Sequence, residues 1–321
     1  MVGSSPEPES SYHVPVLCKA VLEGLITDRS GTYVDATLGG GGHAAAILGE
    51  LGTSAVFVGI DQDMDALDVC RRRFSEDPRV RLVHGNFGEL PTLLSKVGIN
   101  RMDGILLDLG VSSHQIDTPG RGFSYRTEGP LDMRMNTVSE RSAYEFVNSA
   151  SEGDLRDAIR LYGEEKRAGK IAAAVLKGRP IDNTRAFAEA IASAVPARDL
   201  VKTLSRVFQA IRIAVNDELN VLEQALMDSV TLLGEGGRIA VISYHSLEDR
   251  RVKHFLRYGN FRGEPVKDLY GNLITPFEPV TRKAVQPDED ECRQNPRARS
   301  ARLRIAERRA EDRYSPGQPA N

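Results

Sequence analysis

Between residues 33 and 109 four short apolar runs alternate with stretches of helical periodicity, and this alternation leaves few folds open. Residues 33–35, 55–60, 80–84 and 104–109 read as strands, with helices over 44–51, 65–74 and 89–97 between them. A continuous apolar run such as Ala55-Val56-Phe57-Val58-Gly59-Ile60 suits a strand buried on both faces. Strand and helix in strict alternation predict a doubly wound, Rossmann-like parallel α/β sheet. Ahead of it, Val14, Leu17, Val21, Leu22 and Leu25 have helical spacing, which predicts a helix flanking the sheet.

From 139 to 195 the strand signals stop and only helical patterns remain. Ser151 to Asp154 reads as a capping box for a helix to Tyr162, 164–177 as an amphipathic helix, and Thr184 as the cap of a helix to Val195. The organisation expected is a discontinuous α/β domain, 12–138 and 200–321, a small all-helical insertion at 139–199 that recognises substrate, and a disordered lead at 1–11. Past the insertion the pattern predicts a long helical stretch from Arg206 to Leu233, a turn at 234–237, a strand at 238–243, and a helix to Tyr258 capped by Ser246 to Asp249. Residues 259–288 carry no clear pattern, and 300–307 alternate like a final strand.

Composition excludes several classes. The 321 residues are 40% hydrophobic and 27% charged, and no apolar run is long enough to span a bilayer. Glu7 and Glu9 occupy what would be the basic region of a signal peptide. Cys18, Cys70 and Cys292 are widely separated, which fits a reducing cytoplasm and offers neither a disulfide framework nor zinc spacing. The net charge of −3 gives no global attraction to nucleic acid, yet residues 291–313 hold eight Arg against four acids, a local excess of +4.

In an open α/β sheet the ligand sits beyond the carboxyl ends of the strands, where this chain places Gly39 to Gly42, Asp61, Asn86-Phe87, Asp108 and His245. Glycines at a strand-to-helix turn let a ligand approach the backbone, although glycine also builds plain loops. Asp61, 22 positions after Gly39, is placed either to accept hydrogen bonds from ribose hydroxyls or to cap a helix. The packed glycines lack the G-x-G-x-x-G spacing that a pyrophosphate needs, so the cofactor expected is phosphate-free: S-adenosylmethionine. Phe87 is either a wall of its adenine slot or ordinary core. Asp108-Leu109-Gly110-Val111 follows the fourth strand, where amino-methylating enzymes hold their acceptor. The Asp108 carboxylate and the Leu109 carbonyl there suit the orientation of a poorly nucleophilic exocyclic amine, or Asp108 makes a cofactor or capping contact.

Six separated motifs then carry a resemblance that spans about residues 13–308. They are Asp35-Ala36-Thr37 with Gly39 and Gly41-Gly42-His43; Asp108 to Gln115; Arg121-Gly122-Phe123-Ser124; Gly129 to Met135; Ser243 to Arg250; and Asn295 to Ser300. Together they resemble the bacterial small-subunit ribosomal RNA cytosine-N4 methyltransferases. The resemblance implies a class I S-adenosylmethionine-dependent methyltransferase fold with a helical insertion, acting on a cytosine of 16S rRNA near the ribosomal P site. It implies cofactor contacts from Gly41, Gly42, His43, Asp61, Phe87, Asp108 and Gln115. Ala44 and Tyr244 depart from the residues common in the family, Ser and Phe.

His245 follows a strand and precedes a helix, and is read either as a histidine holding the loop or as the acceptor of the amine's proton. Arg121, Arg126 and Arg134 interleave with Phe123 and Tyr125, a composition for phosphate contacts plus base stacking or for a linker into the insertion. Arg297 and Arg299, followed by Arg302 and Arg304, form a second basic candidate on the supposed final strand. The expected partner is 16S rRNA in the small ribosomal subunit, with no membrane and no metal, for a cytoplasmic monomer or homodimer. Two rivals are an enzyme of the same cofactor class acting on DNA or a small molecule, and an assembly-binding protein without catalysis.

Overall fold

The structure is a computed structural model and describes residues 15–310; the expected lead at 1–11 lies outside the described residues. The first stretch runs α1 (Cys18–Leu25), β1 (Thr32–Asp35), α2 (Gly42–Glu50), β2 (Val56–Asp61), α3 (Met64–Arg73), β3 (Val80–His84), α4 (Leu90–Lys96) and β4 (Met102–Asp108). Helices then follow one another: α5 (Ser113–Asp117), α6 (Ala143–Ser149), α7 (Glu152–Gly163), α8 (Ala168–Gly178), α9 (Thr184–Ala192), α10 (Leu200–Asn216) and α11 (Glu218–Leu232). The chain returns to β5 (Leu233–Ser243), α12 (Ser246–Tyr258), β6 (Phe277–Pro279), α13 (Glu289–Gln294) and β7 (Arg302–Arg308).

Seven strands form one sheet in the order β3-β2-β1-β4-β5-β7-β6. Strands β1 to β5 are parallel, and β7 pairs antiparallel with both β5 and β6. The doubly wound parallel α/β sheet expected from the sequence is present, with β7 added antiparallel beyond β5. The order turns around at β1, which has β2 on one side and β4 on the other, so a crevice opens at the carboxyl ends of these strands. Ile105, Leu106 and Leu107 of β4 and Ile239 to Ile242 of β5 are all buried. Such unbroken apolar runs are what a strand covered on both faces requires.

The chain divides into two compact units, one of residues up to Asp61 with Asp65–Leu109 and the chain from Ala225, the other of Gln62–Met64 with Gly110–Gln224. In the first, Val21 and Leu25 of α1 and Ala44 and Ile47 of α2 pack with Tyr33, Phe57, Leu106, Leu303 and Ile305. The second unit reaches well beyond the expected 139–199 insertion. Leu204, Val207, Phe208 and Ile211 of α10, spaced along one helix face, close a core with Phe146, Leu155, Ile171, Phe187, Leu131 and Met133.

Several local expectations are corrected. Asn183, whose side chain accepts from Ala186 N, is the cap of α9; Thr184 is its first residue and instead donates to the Thr127 carbonyl at 2.8 Å. Glu164, at φ 48°, ends α7, so the next helix begins only at Ala168. The long helix expected to reach Leu233 is two, α10 and α11, broken at Asp217 with φ 50°. Residues 234–237 belong to β5 rather than to a free turn. The expected final strand is present as β7, and β6, drawn from the patternless 259–288 segment, pairs along it.

Candidate active site

The glycine turn is held from several sides. Gly39 N donates to Asp61 Oδ2 at 2.7 Å, Gly41 N to the Leu38 carbonyl at 2.9 Å, and Arg73 Nη1 to the carbonyls of Gly40 and Gly41 at 2.9 and 2.8 Å. Cys70 lies beneath, its Sγ 3.3 Å from the Gly39 carbonyl, and burial pushes its thiol up to about 12. Gly41 precedes α2 in the left-handed region, φ 74°, and a Cβ there would stand 2.8 Å from the Phe74 ring and 2.9 Å from Cys70 Sγ. A Cβ on Gly40 would meet nothing within 4 Å. Gly41 is therefore required by the fold, whereas Gly40 leaves open backbone.

Asp35, Asp61 and Asp108 stand at the carboxyl ends of the adjacent strands β1, β2 and β4. Asp35 is 1% exposed; its Oδ1 accepts from Thr37 N at 3.1 Å. Burial, with the charges of Asp108 and Asp61 adding to it, raises its carboxyl to about 7. Burial also raises Asp108 to about 7, opposed by the Tyr244 hydroxyl that donates to its Oδ1 at 2.9 Å and reinforced by the charge of Glu248. The backbone N–H of Asp108 donates to Thr37 Oγ1 at 2.6 Å, tying β4 to the turn after β1. Its Oδ2 lies 3.7 Å from Nε2 of His43. Burial lowers His43 to about 4, so the ring is neutral, and its buried Nε2 has no hydrogen-bond partner.

Phe87 is half-buried at the start of a 3-10 turn after β3, shaped by Asn86 accepting from Gly88 N at 2.9 Å. Leu109, 6% exposed, follows Asp108 and donates its N–H to the Ile242 carbonyl at 2.9 Å. Gly42 and His43 open α2 directly behind the turn. The first unit thus brings together Gly41, Gly42, His43, Asp61, Phe87, Asp108 and Leu109.

Gln115 is placed differently. It belongs to the second unit, where its Oε1 accepts from Ser112 N at 3.0 Å and its Nε2 donates to Asp63 Oδ2 at 2.9 Å. Both ends of its amide are engaged by the protein, so its role here is to cap α5 and hold Asp63. His245 is the N-cap of α12, displacing Ser246 from the role expected of it. Its Nδ1 accepts from Glu248 N at 3.4 Å, and its buried Nε2, 3.0 Å from Glu248 Oε1, has no hydrogen-bond partner among the described residues. Glu248 Oε2 in turn accepts from Tyr244 N at 2.8 Å and His245 N at 3.3 Å. Of the two readings of this histidine, the geometry serves the one that holds the loop.

The basic candidates are corrected more strongly. Arg121, 8% exposed, donates to Asp63 Oδ2 at 2.6 Å and to the carbonyls of Arg134 and Met135, each at 3.0 Å, so it is a buried strut and not a phosphate contact. Arg134 forks onto Asp132 at 2.9 and 2.7 Å and onto the Ser139 carbonyl. Tyr125 packs edge-on against Phe208 with ring centroids 5.6 Å apart, and Phe123 packs against the same helical core, so both half-buried rings have a task in the packing of the second unit. Arg126 alone of this group is exposed, over the Tyr125 ring. Arg297 and Arg299 lie exposed in a 3-10 turn, residues 296–300, not on the strand, and Arg304 is paired to Asp249 at 2.8 Å.

Sequence reasoning missed Arg73, Thr37 and Tyr244 as parts of the site. Arg73 sits 32 and 33 positions from the carbonyls it holds, and Tyr244 is 136 positions from Asp108, so no local pattern marks them. The departure from Phe at 244 and the place of Thr37 in the Asp35-Ala36-Thr37 motif were the available signals.

Comparison with known proteins places this geometry. A ribosomal RNA small subunit methyltransferase H of Amoebophilus asiaticus is 47% identical over 307 residues, covering 95% of this chain and 98% of its own. Proteins of the same name from Bacteroides fragilis and Cytophaga hutchinsonii are 45% and 46% identical over 94% and 92% of this chain and 99% of theirs. Residues 10–309 match the MraW methylase family, and with identity sustained over nearly the whole length of both partners, this chain belongs to that family.

Proposed function

We propose that the protein methylates the exocyclic N4 of a cytosine in 16S rRNA of the small ribosomal subunit, near the P site, using S-adenosylmethionine. Membership of a methylase family and relatives named for small-subunit rRNA methylation support the reaction class. The observation that carries it is the cluster of Asp35, Asp61 and Asp108 around an open glycine turn, with two of the three carboxyls drawn up to about 7. Burial is the main cause of both shifts, so a cation bound beside these carboxyls would favour their ionised forms.

The residues fit the cofactor. Gly40 offers backbone without a side chain in the way, and the partnerless Nε2 of His43 is a polar atom waiting for a ligand. When bound, S-adenosylmethionine supplies a methyl group on a cationic sulfur. Asp61, at the end of β2 and anchored to Gly39, is placed to accept from ribose hydroxyls. Phe87 borders the adenine position. At Asp108, Tyr244 occupies Oδ1, which leaves Oδ2 to accept from the cytosine amine and orient its lone pair, with the Leu109 carbonyl beside it. A carboxyl near 7 is also suited to hold the proton that the amine loses.

The test is incubation of purified small subunits, free 16S rRNA and DNA with labelled cofactor, followed by nucleoside mass mapping. N4-methylcytidine at one 16S position, lost in Asp108→Asn, is the expected result. Label in DNA only would favour the first rival, and bound but unmodified subunits would favour the assembly-binding role.

A further inference from the structure

Within the first unit a groove of about 510 Å3 runs beside the N-terminal half of α12, lined among others by Tyr244, His245, Arg250, Lys253, Arg299 and Arg302. Arg250, Lys253, Arg299 and Arg302 are all exposed. The acid in the lining, Asp249, is already held by Arg304 at 2.8 Å and lies 3.6 Å from Arg302. Lys253 and Arg299 carry no ion pair or hydrogen bond among the described residues. Lys253 and Arg299, with no partner among the described residues and with Arg250 and Arg302 lining the same concavity, make it a positively charged surface that favours a polyanion.

Two further facts say which polyanion. Tyr244 is one of the lining residues, and its hydroxyl donates to the Asp108 carboxylate where the acceptor amine is expected, so one side chain links the groove to the proposed reacting centre. Its cations come from two separate elements, α12 and the 296–300 turn with the start of β7. A spread of point charges leading away from a single-nucleotide site suits a chain of phosphates rather than one compact anion. The arginines 121 and 134, which the sequence offered for this task, are consumed by internal bonds.

We infer that this groove is the track for the phosphodiester backbone flanking the target nucleotide, with Lys253 and Arg299 as direct phosphate contacts. The inference rests on the proposed RNA methyltransferase activity and adds the surface that positions its substrate. Phosphate contacts on single strands each release counterions worth about 0.7 in the slope of log affinity against log salt.

The experiment is salt titration of binding of the full chain to a single-stranded 16S rRNA fragment containing the methylated cytosine. Lys253→Gln with Arg299→Gln should lower the slope by about 1.4, so that a fourfold rise in salt costs the variant about sevenfold less affinity than it costs the wild type. Lys253→Arg should keep the slope. Cofactor affinity and melting temperature should stay at wild-type values in both. An unchanged slope in the double variant, or a slope lowered only with cofactor binding and melting temperature, overturns the inference. Loss of binding to anionic vesicles with RNA binding intact overturns it in favour of a membrane surface. Failure of the wild type to methylate any rRNA would sink the proposed function instead, while a lowered slope would still assign the groove.

Discussion

Asp108 and Asp35 make the site sensitive to pH in a direction that can be worked out. Both carboxyls are raised to about 7 by burial, so without ligand the folded protein keeps protons that the unfolded chain gives up near pH 4. Their contribution to stability therefore falls as pH rises from about 4 to about 7 and levels off above that. A cationic ligand prefers the ionised pair. Calorimetry should show S-adenosylmethionine affinity rising with pH up to about 7 and flattening beyond, with proton release on binding, and a shallower rise in Asp108→Asn. The neighbouring glycines separate folding from binding. Gly41→Ala should lower stability by about 1–3 kcal/mol, since it combines positive φ with a clash, read as a drop in melting temperature. Gly40→Ala, with nothing to strike, should melt within about 0.5 kcal/mol of wild type yet lose cofactor affinity if ligand occupies the open backbone.

Among the elements, α12 shows that a candidate catalytic residue also has a structural task. His245 and Glu248 form a reciprocal cap, which satisfies N–H groups that the helix start would otherwise leave unpaired. His245→Ala should cost about 1 kcal/mol of stability, and His245→Asn, a good N-cap, should recover most of it. If the cap is the whole role, thermally stable His245→Asn also keeps single-turnover methyl transfer. A stable but inactive Asn variant would return the proton-accepting role to this histidine. The signal Ser-x-x-Asp was visible in the sequence, but Ser246 lies one residue inside the helix because the Tyr244 and His245 N–H groups both reach Glu248. The same one-residue displacement moved the α9 cap from Thr184 to Asn183. Local patterns locate a helix start well and choose between adjacent polar residues poorly, since tertiary partners make the choice.

At the scale of the molecule, each unit has its own core, and the second is stitched from distant segments. Arg121 binds Asp63 and the carbonyls of Arg134 and Met135, while Asn216 accepts from Met135 N at 2.8 Å and donates to the Met133 carbonyl at 2.8 Å. Removing one partner of a buried ion pair strands the other. Arg121→Ala should destabilise by about 3–5 kcal/mol, seen in hydrogen exchange as lost protection across residues 110–224 with the sheet's protection kept. A mere fall in RNA affinity with full protection would instead restore the phosphate role that the sequence suggested.

The sequence by itself determined the class of fold, because strand burial on both faces demands unbroken apolar runs and these are local. It also determined the residues at the strand ends, Asp61, Asp108 and the glycine turn, since sheet topology alone places such residues at one crevice. What only the tertiary structure decided is which polar groups are already engaged. Composition shows an arginine but not its partner, so Arg121 and Arg134 read like Lys253 and Arg299 until distant carboxylates and carbonyls are brought to them. The same holds for Tyr244 and Arg73, whose contributions to Asp108 and the glycine turn exist only because packing joins segments far apart in the chain.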